Sequence, residues 1–350
     1  MGAPARPADR VDCDLHAEVP GLEALLPYLP GHWVEQVRTT VFTGPLDAYH
    51  PPLLLRQAPP GVEPLARLRE EVLDRDGLSV GILSCTYAVD SLHNPDQAVA
   101  LARAANDWLA AEWLAREPRL RASMVVPSQL PELAAEEVER MAGHPGFVQV
   151  LLPARAHHPY GSRLYRPLWE AIARHGLVAG IHFGGAPGNP PTAVGWPSYY
   201  FEEYAGMALV FAAQLTSLVS EGVFDLHPDL RVTFLESGFT WLPAHLWRFD
   251  REWKNLRRQV PWVRRPPSDY VRRHVRLTIQ PLDAPPDPGQ LLEVVEQLGS
   301  DELLLYASDH PHRHAGDAEA DLLRYLPPAL AARIRAGNAR EWYRLGTNGS

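Results

Sequence analysis

Acids and imidazoles stand at the ends of apolar runs in this sequence, and four of them could together hold a metal ion. The segment VDCDLH begins at Val11. Along an extended strand side chains alternate, which predicts Asp12, Asp14 and His16 on one face and Cys13 and Leu15 on the other. Such a face inside a protein must be paired or bound to a cation. Further along, His182 ends the run in GIHFGG, Glu236 ends FLESG, and Asp309 ends YASDHPH, each just before a glycine-rich or polar loop. Taken singly, each is compatible with a hydrogen-bonded core residue or a loop cap. Four at equivalent positions, Asp14, His16, His182 and Asp309, make an oxygen and nitrogen ligand set. It suits zinc first, and also manganese or iron, with a position left open for water or substrate.

The elements that must bring these residues together are legible as eight short apolar runs: VDCDLH, LSVGILSC, RASMVVP, FVQVLLP, GLVAGIHFGG, RVTFLESG, VRLTIQP and ELLLYASD. Helical patterns such as PDQAVALARAANDWLAAEWLAR, PELAAEEVERMAG, YRPLWEAIARHG and PDPGQLLEVVEQLG fall between most of them. Strand alternating with helix implies parallel pairing, and eight such units favour a closed (β/α)8 TIM barrel. An open doubly wound sheet would alternate in the same way, but neither GxGxxG nor GxxxxGK[ST] occurs. A single domain over residues 1–350 is expected, with residues 1–10 disordered. Long segments follow the first, fifth and sixth strands (17–75, 186–204 and 239–270), where a barrel builds its active site, so they read as walls or lids, with family decoration or an oligomer contact as the alternative. The helix 206–220, GMALVFAAQLTSLVS, is apolar on several sides and reads as a barrel helix or subunit contact, so a homodimer is expected.

Composition removes several function classes. A net charge of −9 with no basic tail argues against nucleic-acid binding. No stretch is long enough to span a bilayer and the N-terminus lacks the apolar core of a signal peptide, so no membrane partner is expected. Cys13 and Cys85 are too few for a disulfide framework, which points to a reducing, cytoplasmic setting. Lys254, the one lysine, lies in a polar helical stretch, which leaves Schiff-base and lysine-bridged metal chemistry without support. A small-molecule substrate remains. Its candidate contacts are Arg155 and Arg248 as carboxylate clamps, Trp196 and Tyr199 as stacking surfaces, and His310 at the same rim.

These pieces, with LYRPLWEAIARHGLVAGIHFGG, LTSLVSEGVFDLHPDLRVTFLESGFTWLPAHLWRFD, RRPPSDYVRRHVRLTIQP and LLLYASDHPH, resemble the amidohydrolase superfamily. The resemblance is to the branch that includes aminocarboxymuconate-semialdehyde, γ-resorcylate and 5-carboxyvanillate decarboxylases. It implies a distorted (β/α)8 barrel, with His182 as the strand-five ligand and Asp309 as the strand-eight aspartate that binds metal and handles a proton. His16 matches the second histidine of the strand-one motif. Asp14 stands where many members have the first histidine, and a carboxylate there is also seen among the decarboxylases. Glu236 occupies a place where many members carry a histidine. No lysine interrupts FVQVLLP, which suggests one metal rather than a lysine-bridged pair. The resemblance therefore implies decarboxylation of a small aromatic or unsaturated carboxylate, with His182, Glu236 and Asp309 as catalytic groups. Hydrolysis or cyclisation at an amide or ester carbonyl is the alternative. A barrel without activity that serves as a scaffold is the third reading, prompted by Asp14 and Glu236.

Overall fold

Each of the eight apolar runs is extended and parallel to the next in a computed structural model of the chain, which describes residues 9–45, 62–186, 188–314 and 316–346. The strands are β1 (Val11–His16), β2 (Val80–Ser84), β3 (Leu120–Val125), β4 (Phe147–Pro153), β5 (Val178–His182), β6 (Arg231–Leu235), β7 (Val275–Thr278) and β8 (Leu304–Leu305). They pair in sequence order, β1 through β8. Helices return the chain between them, among them Pro95–Trp108, Pro131–Met141, Arg166–Arg174 and Pro288–Gln297. Their starts follow local chemistry. Asn94 caps the first through the Gln97 amide and Asp287 caps the last through that of Gly289, each with proline in the opening turn.

The barrel closes unevenly. β8 has only two residues, and single backbone bonds complete the join to β1: Cys13 N to Tyr306 O at 3.0 Å, Asp309 N to Asp14 O at 3.1 Å and His16 N to His310 O at 2.8 Å. The expected distorted (β/α)8 barrel is the observed one. One detail differs from strict alternation. The register of β1 against β2 shifts between Asp12 and Leu15, and a bulge of this kind re-aims side chains. Asp12 is consequently turned away from Asp14 and His16, and accepts the amides of Asp14 and Ser308, each at 3.1 Å. Cys13 packs instead with Val11, Ile82 and Val178. Against that cluster lies the helix Asn338–Tyr343. Its Tyr343 hydroxyl donates to Gln149 on β4 at 2.8 Å, and its Trp342 indole donates to Thr233 on β6 at 2.9 Å. This helix plugs the end of the barrel opposite Asp14, His16, His182 and Asp309.

The expectation of disorder at residues 1–10 falls mostly outside the described residues; Asp9 and Arg10 are described, and pair with Arg340 at 2.6 Å and Glu319 at 3.2 Å. The segment after β1 holds a helix at Gly31–Thr39 and another at Pro64–Leu68, while residues 46–61 lie outside the described residues. After β5 the chain runs as a loop to Tyr199 and then enters the helix Tyr200–Ser220. That helix buries Met207, Phe211, Leu215 and Leu218 and leaves Phe201 and Leu209 exposed. After β6 most of the connection is helical, Leu242–Leu256 and Pro267–His274. No helix among the described residues is long and apolar enough to cross a membrane.

Candidate metal centre

Asp14 and His16 lie on β1, His182 is the final residue of β5, and Asp309 follows β8 by four residues. All four are buried, and one ligand atom from each lies within 4.8 Å of the others. His16 Nε2 stands 2.8 Å from Asp309 Oδ1, and His182 Nε2 stands 3.4 Å from Asp14 Oδ2. The second atom of Asp14 and of His182 is already used, while His16 Nδ1 has no hydrogen-bond partner. Ser84 Oγ donates to Asp14 Oδ1 at 2.6 Å, and His182 Nδ1 donates to the Phe183 carbonyl at 2.7 Å. That bond fixes the His182 tautomer and points its Nε2 lone pair into the cluster. Asp14 Oδ2, His16 Nε2 and His182 Nε2 are left buried without a hydrogen-bond partner. Buried polar atoms are rarely orphaned, and three converging on one point are satisfied together by a divalent cation. The residues present therefore fit the metal that the ligand set implies.

The electrostatics agree. Burial disfavours a charged His182, but the carboxylates of Asp14 and Glu236 outweigh it and push its pKa up to about 10, so this position demands positive charge. Burial, with His312 nearby, holds His16 below its ordinary value, neutral and free to donate a lone pair. Burial alone would raise Asp309, yet the imidazoles of His16, His312 and His314 around it hold it well below the usual carboxylate range. Glu236 goes the other way. Its burial and the neighbouring Asp309 charge raise it well above the usual value. Two carboxyl groups thus face one cluster with their pKa values pushed in opposite directions, the pattern by which one site can supply both a ligand and an acid.

The backbone is strained at the same two acids. Glu236 and Asp309 both have φ of 55°, in the left-handed region that non-glycine residues seldom occupy. The tight turns re-aim each side chain into the barrel mouth from a strand that has just ended. For Asp309 the turn is held by His312 Nδ1 on Oδ1 at 3.0 Å and His314 Nε2 on Oδ2 at 2.5 Å, and Tyr204 Oη lies 3.3 Å from His314 Nδ1. His312 and His314 are not among the candidate site residues read from the sequence. The signal was present, since DHPHRH sets imidazoles three and five residues beyond Asp309, but a loop has no periodicity to say which way they turn.

A cavity of about 460 Å³ opens from the cluster, with His16, His182, Glu236 and His312 in its wall. Arg155 lines it and is paired with Glu203 at 2.6 Å, and Tyr199 lies at its exposed mouth. Trp196, Arg248 and His310 are not in its wall. Trp196 is exposed, and Arg248 is exposed on the helix Leu242–Leu256. His310 lines a separate cavity with Arg10 and Tyr306, because its backbone pairs with Leu15 and turns its ring to the opposite side from Asp309. Asp90 and Glu203, which sequence reasoning did not single out, do line the main cavity. Both come from segments whose approach to the rim only the folded chain reveals.

Comparison with known proteins gives this geometry a family. The chain is 27% identical over 300 residues to the γ-resorcylate decarboxylase of Rhizobium sp. (strain MTP-10005), covering 79% of this chain and 86% of that one. The dihydroxybenzoic acid decarboxylase of Polaromonas sp. JS666, solved with bound manganese and the inhibitor 2-nitroresorcinol, superimposes with a TM-score of 0.68 at 23% identity over 97% of each chain. The 5-carboxyvanillate decarboxylase of Sphingomonas paucimobilis superimposes with a TM-score of 0.70 at 21% identity, over 97% of this chain and 100% of that one. The amidohydrolase family model matches residues 11–345, from the first residue of β1 to just beyond the helix that plugs the barrel. A match that takes in every strand and all four candidate ligands leaves one assignment: the chain belongs to the amidohydrolase family.

Proposed function

We propose that this protein decarboxylates a small aromatic or unsaturated carboxylate with the help of one divalent metal ion. The observation that carries the reading is the convergence of three partnerless buried ligand atoms beside the buried carboxyl of Glu236. Asp14, His16, His182 and Asp309 would hold the ion, and when bound it supplies Lewis acidity toward the substrate carboxylate and a neighbouring oxygen. The chain's own residues do the rest. Apolar walls exclude water, which strengthens each polar contact at the mouth. Glu236 delivers its proton to the ring carbon that bears the carboxylate, the carbon–carbon bond breaks, and carbon dioxide leaves. Asp309, held ionised, serves as ligand rather than acid. Arg155 and Tyr199 are proposed as substrate contacts.

The donor set favours zinc, while similarity to a manganese-bearing decarboxylase structure favours manganese. Elemental analysis of the purified protein decides between them. Release of carbon dioxide from a hydroxybenzoate panel, beside an amide and ester panel, tests the reaction. Glu236→Gln keeps the volume, removes the proton donor, and is expected to abolish release while metal stays bound. Turnover of the esters alone would replace decarboxylation with hydrolysis. Two further parts of the reading are supported more indirectly. Cys13 and Cys85 are buried and unpaired, in keeping with a cytoplasmic setting. The outer face of Tyr200–Ser220, with Phe201 80% and Leu209 75% exposed, supports a homodimer. Sedimentation of Leu209→Arg as a monomer, against a wild-type dimer, is the matching test.

A further inference from the structure

The cavity is larger than one ring needs and its two ends are chemically different. An apolar cavity of about 150 Å³ is enough to hold benzene, whereas this one measures about 460 Å³. One end carries His16, His182, Glu236 and His312. The other carries Asp90, from the turn after β2, Arg155, beyond β4, and Glu203, from the helix after β5. The wall also carries the apolar side chains of Val89, Val125, Val126, Leu151 and Phe183. Arg155 is among the charged groups that lower Asp90 against its burial, and it pairs with Glu203 at 2.6 Å, so these three side chains form one group.

The far end does not suit a second anion. Arg155 is its one lining arginine or lysine among the described residues, and its guanidinium is committed to Glu203 at 2.6 Å and to the Asn189 carbonyl at 3.3 Å. Asp90 accepts the Ala186 amide at 3.1 Å. With two acids against one engaged arginine, the end accepts hydrogen bonds and would repel a carboxylate.

We propose that the substrate is a two-ring aromatic acid with a single carboxylate, of the hydroxynaphthoate class. Its second ring lies along Val125, Val126 and Leu151, and a hydroxyl on that ring donates toward Asp90 and Glu203. This rests on the decarboxylase reading for the orientation of the carboxylate, and adds the size and charge of everything beyond it. A one-ring acid would leave the apolar wall wet, and a one-ring diacid would set its second charge against Asp90.

The test separates binding from turnover. Manganese-loaded protein is titrated calorimetrically with 2-nitroresorcinol and with the matching two-ring nitro-naphthalenediol, neither of which can lose carbon dioxide. The two-ring compound is expected to bind about tenfold tighter or more, from the extra apolar surface it buries. Val126→Phe, which fills the middle of the wall, is expected to erase that preference. Equal or weaker binding of the two-ring compound overturns the proposal, as does a preference that Val126→Phe leaves intact. In parallel, carbon dioxide release is followed from 2,6-dihydroxybenzoate, 5-carboxyvanillate and a dihydroxynaphthoate. Tighter two-ring binding with no release from any acid supports the substrate class and defeats the reaction. Fastest release from a one-ring acid supports the reaction and defeats the substrate class.

Discussion

His314 offers a quantitative test of how the metal centre is held. Its Nε2 lies 2.5 Å from Asp309 Oδ2, and Asp309 is fully buried. A hydrogen bond to a charged group contributes about 1.5–3 kcal/mol to stability, and removing an outer partner of a metal ligand lowers metal affinity about 10- to 100-fold. The two estimates agree, since a tenfold change is about 1.4 kcal/mol. His314→Ala deletes the bond and leaves Oδ2 of Asp309 uncompensated, so manganese affinity, measured by competition with a chromophoric chelator, is expected to fall by about 10- to 100-fold. His314→Gln can still donate to Oδ2 and is expected to recover most of the loss. Tyr204→Phe removes only the longer 3.3 Å contact to His314 Nδ1, and its effect is expected to be about threefold or less. Metal affinity of His314→Ala within twofold of wild type would refute the idea that this imidazole positions Asp309.

Other perturbations follow from features nearby. Asn106 is buried and makes three bonds, to the Val125 carbonyl at 2.8 Å, to Glu137 at 2.7 Å and from the Val125 amide at 2.8 Å. Asn106→Ala removes its bonds to the Val125 amide and carbonyl and one of the bonds to Glu137, which Arg140 still holds, and is expected to cost about 2–4 kcal/mol in urea unfolding, where a loss below about 1 kcal/mol would contradict it. Glu117 is held down to about 2, chiefly by the Arg119 guanidinium at 2.9 Å and also by Arg69 at 2.8 Å. A depressed carboxylate pKa adds stability that is complete above the unfolded value near 4.5 and disappears as pH falls toward 2. Glu117→Gln should therefore destabilise by about 1 kcal/mol at neutral pH, after allowance for solvent screening, with the difference from wild type shrinking below pH of about 4.5 and vanishing only as pH falls to about 2. Gly185 has φ of 107°, and a Cβ there would collide with the Arg155 carbonyl. Gly185→Ala is expected to displace the Arg155 wall and weaken inhibitor binding, with manganese affinity unchanged; loss of metal along with inhibitor would show that the loop also supports the ligands.

The architecture was legible because eight apolar runs alternate with helical patterns, and His182 and Asp309 because a polar residue closing such a run sits at a strand end. Two things escaped for physical reasons. Strict alternation put Asp12 beside Asp14, whereas the bulge in β1 turns it toward the Ser308 amide. Period-two reasoning cannot register an irregularity that inverts the facing of one side chain. The imidazoles of His312 and His314 act through a tight turn at Asp309, and Asp90 and Glu203 reach the cavity from the turn after β2 and from a helix's first turn. Where a loop side chain points is set by tertiary packing. The same limit explains why Arg248 and His310, chosen for chemical type and rim position, lie outside the cavity wall.

The left-handed backbone at Glu236 and Asp309 makes this protein a poor guardian of its own chemistry. Each such residue costs on the order of 1–3 kcal/mol that glycine would not incur. A library propagated only for heat resistance, with no requirement for turnover, should therefore drift toward glycine at both positions and return sturdier barrels that have lost their metal and their acid.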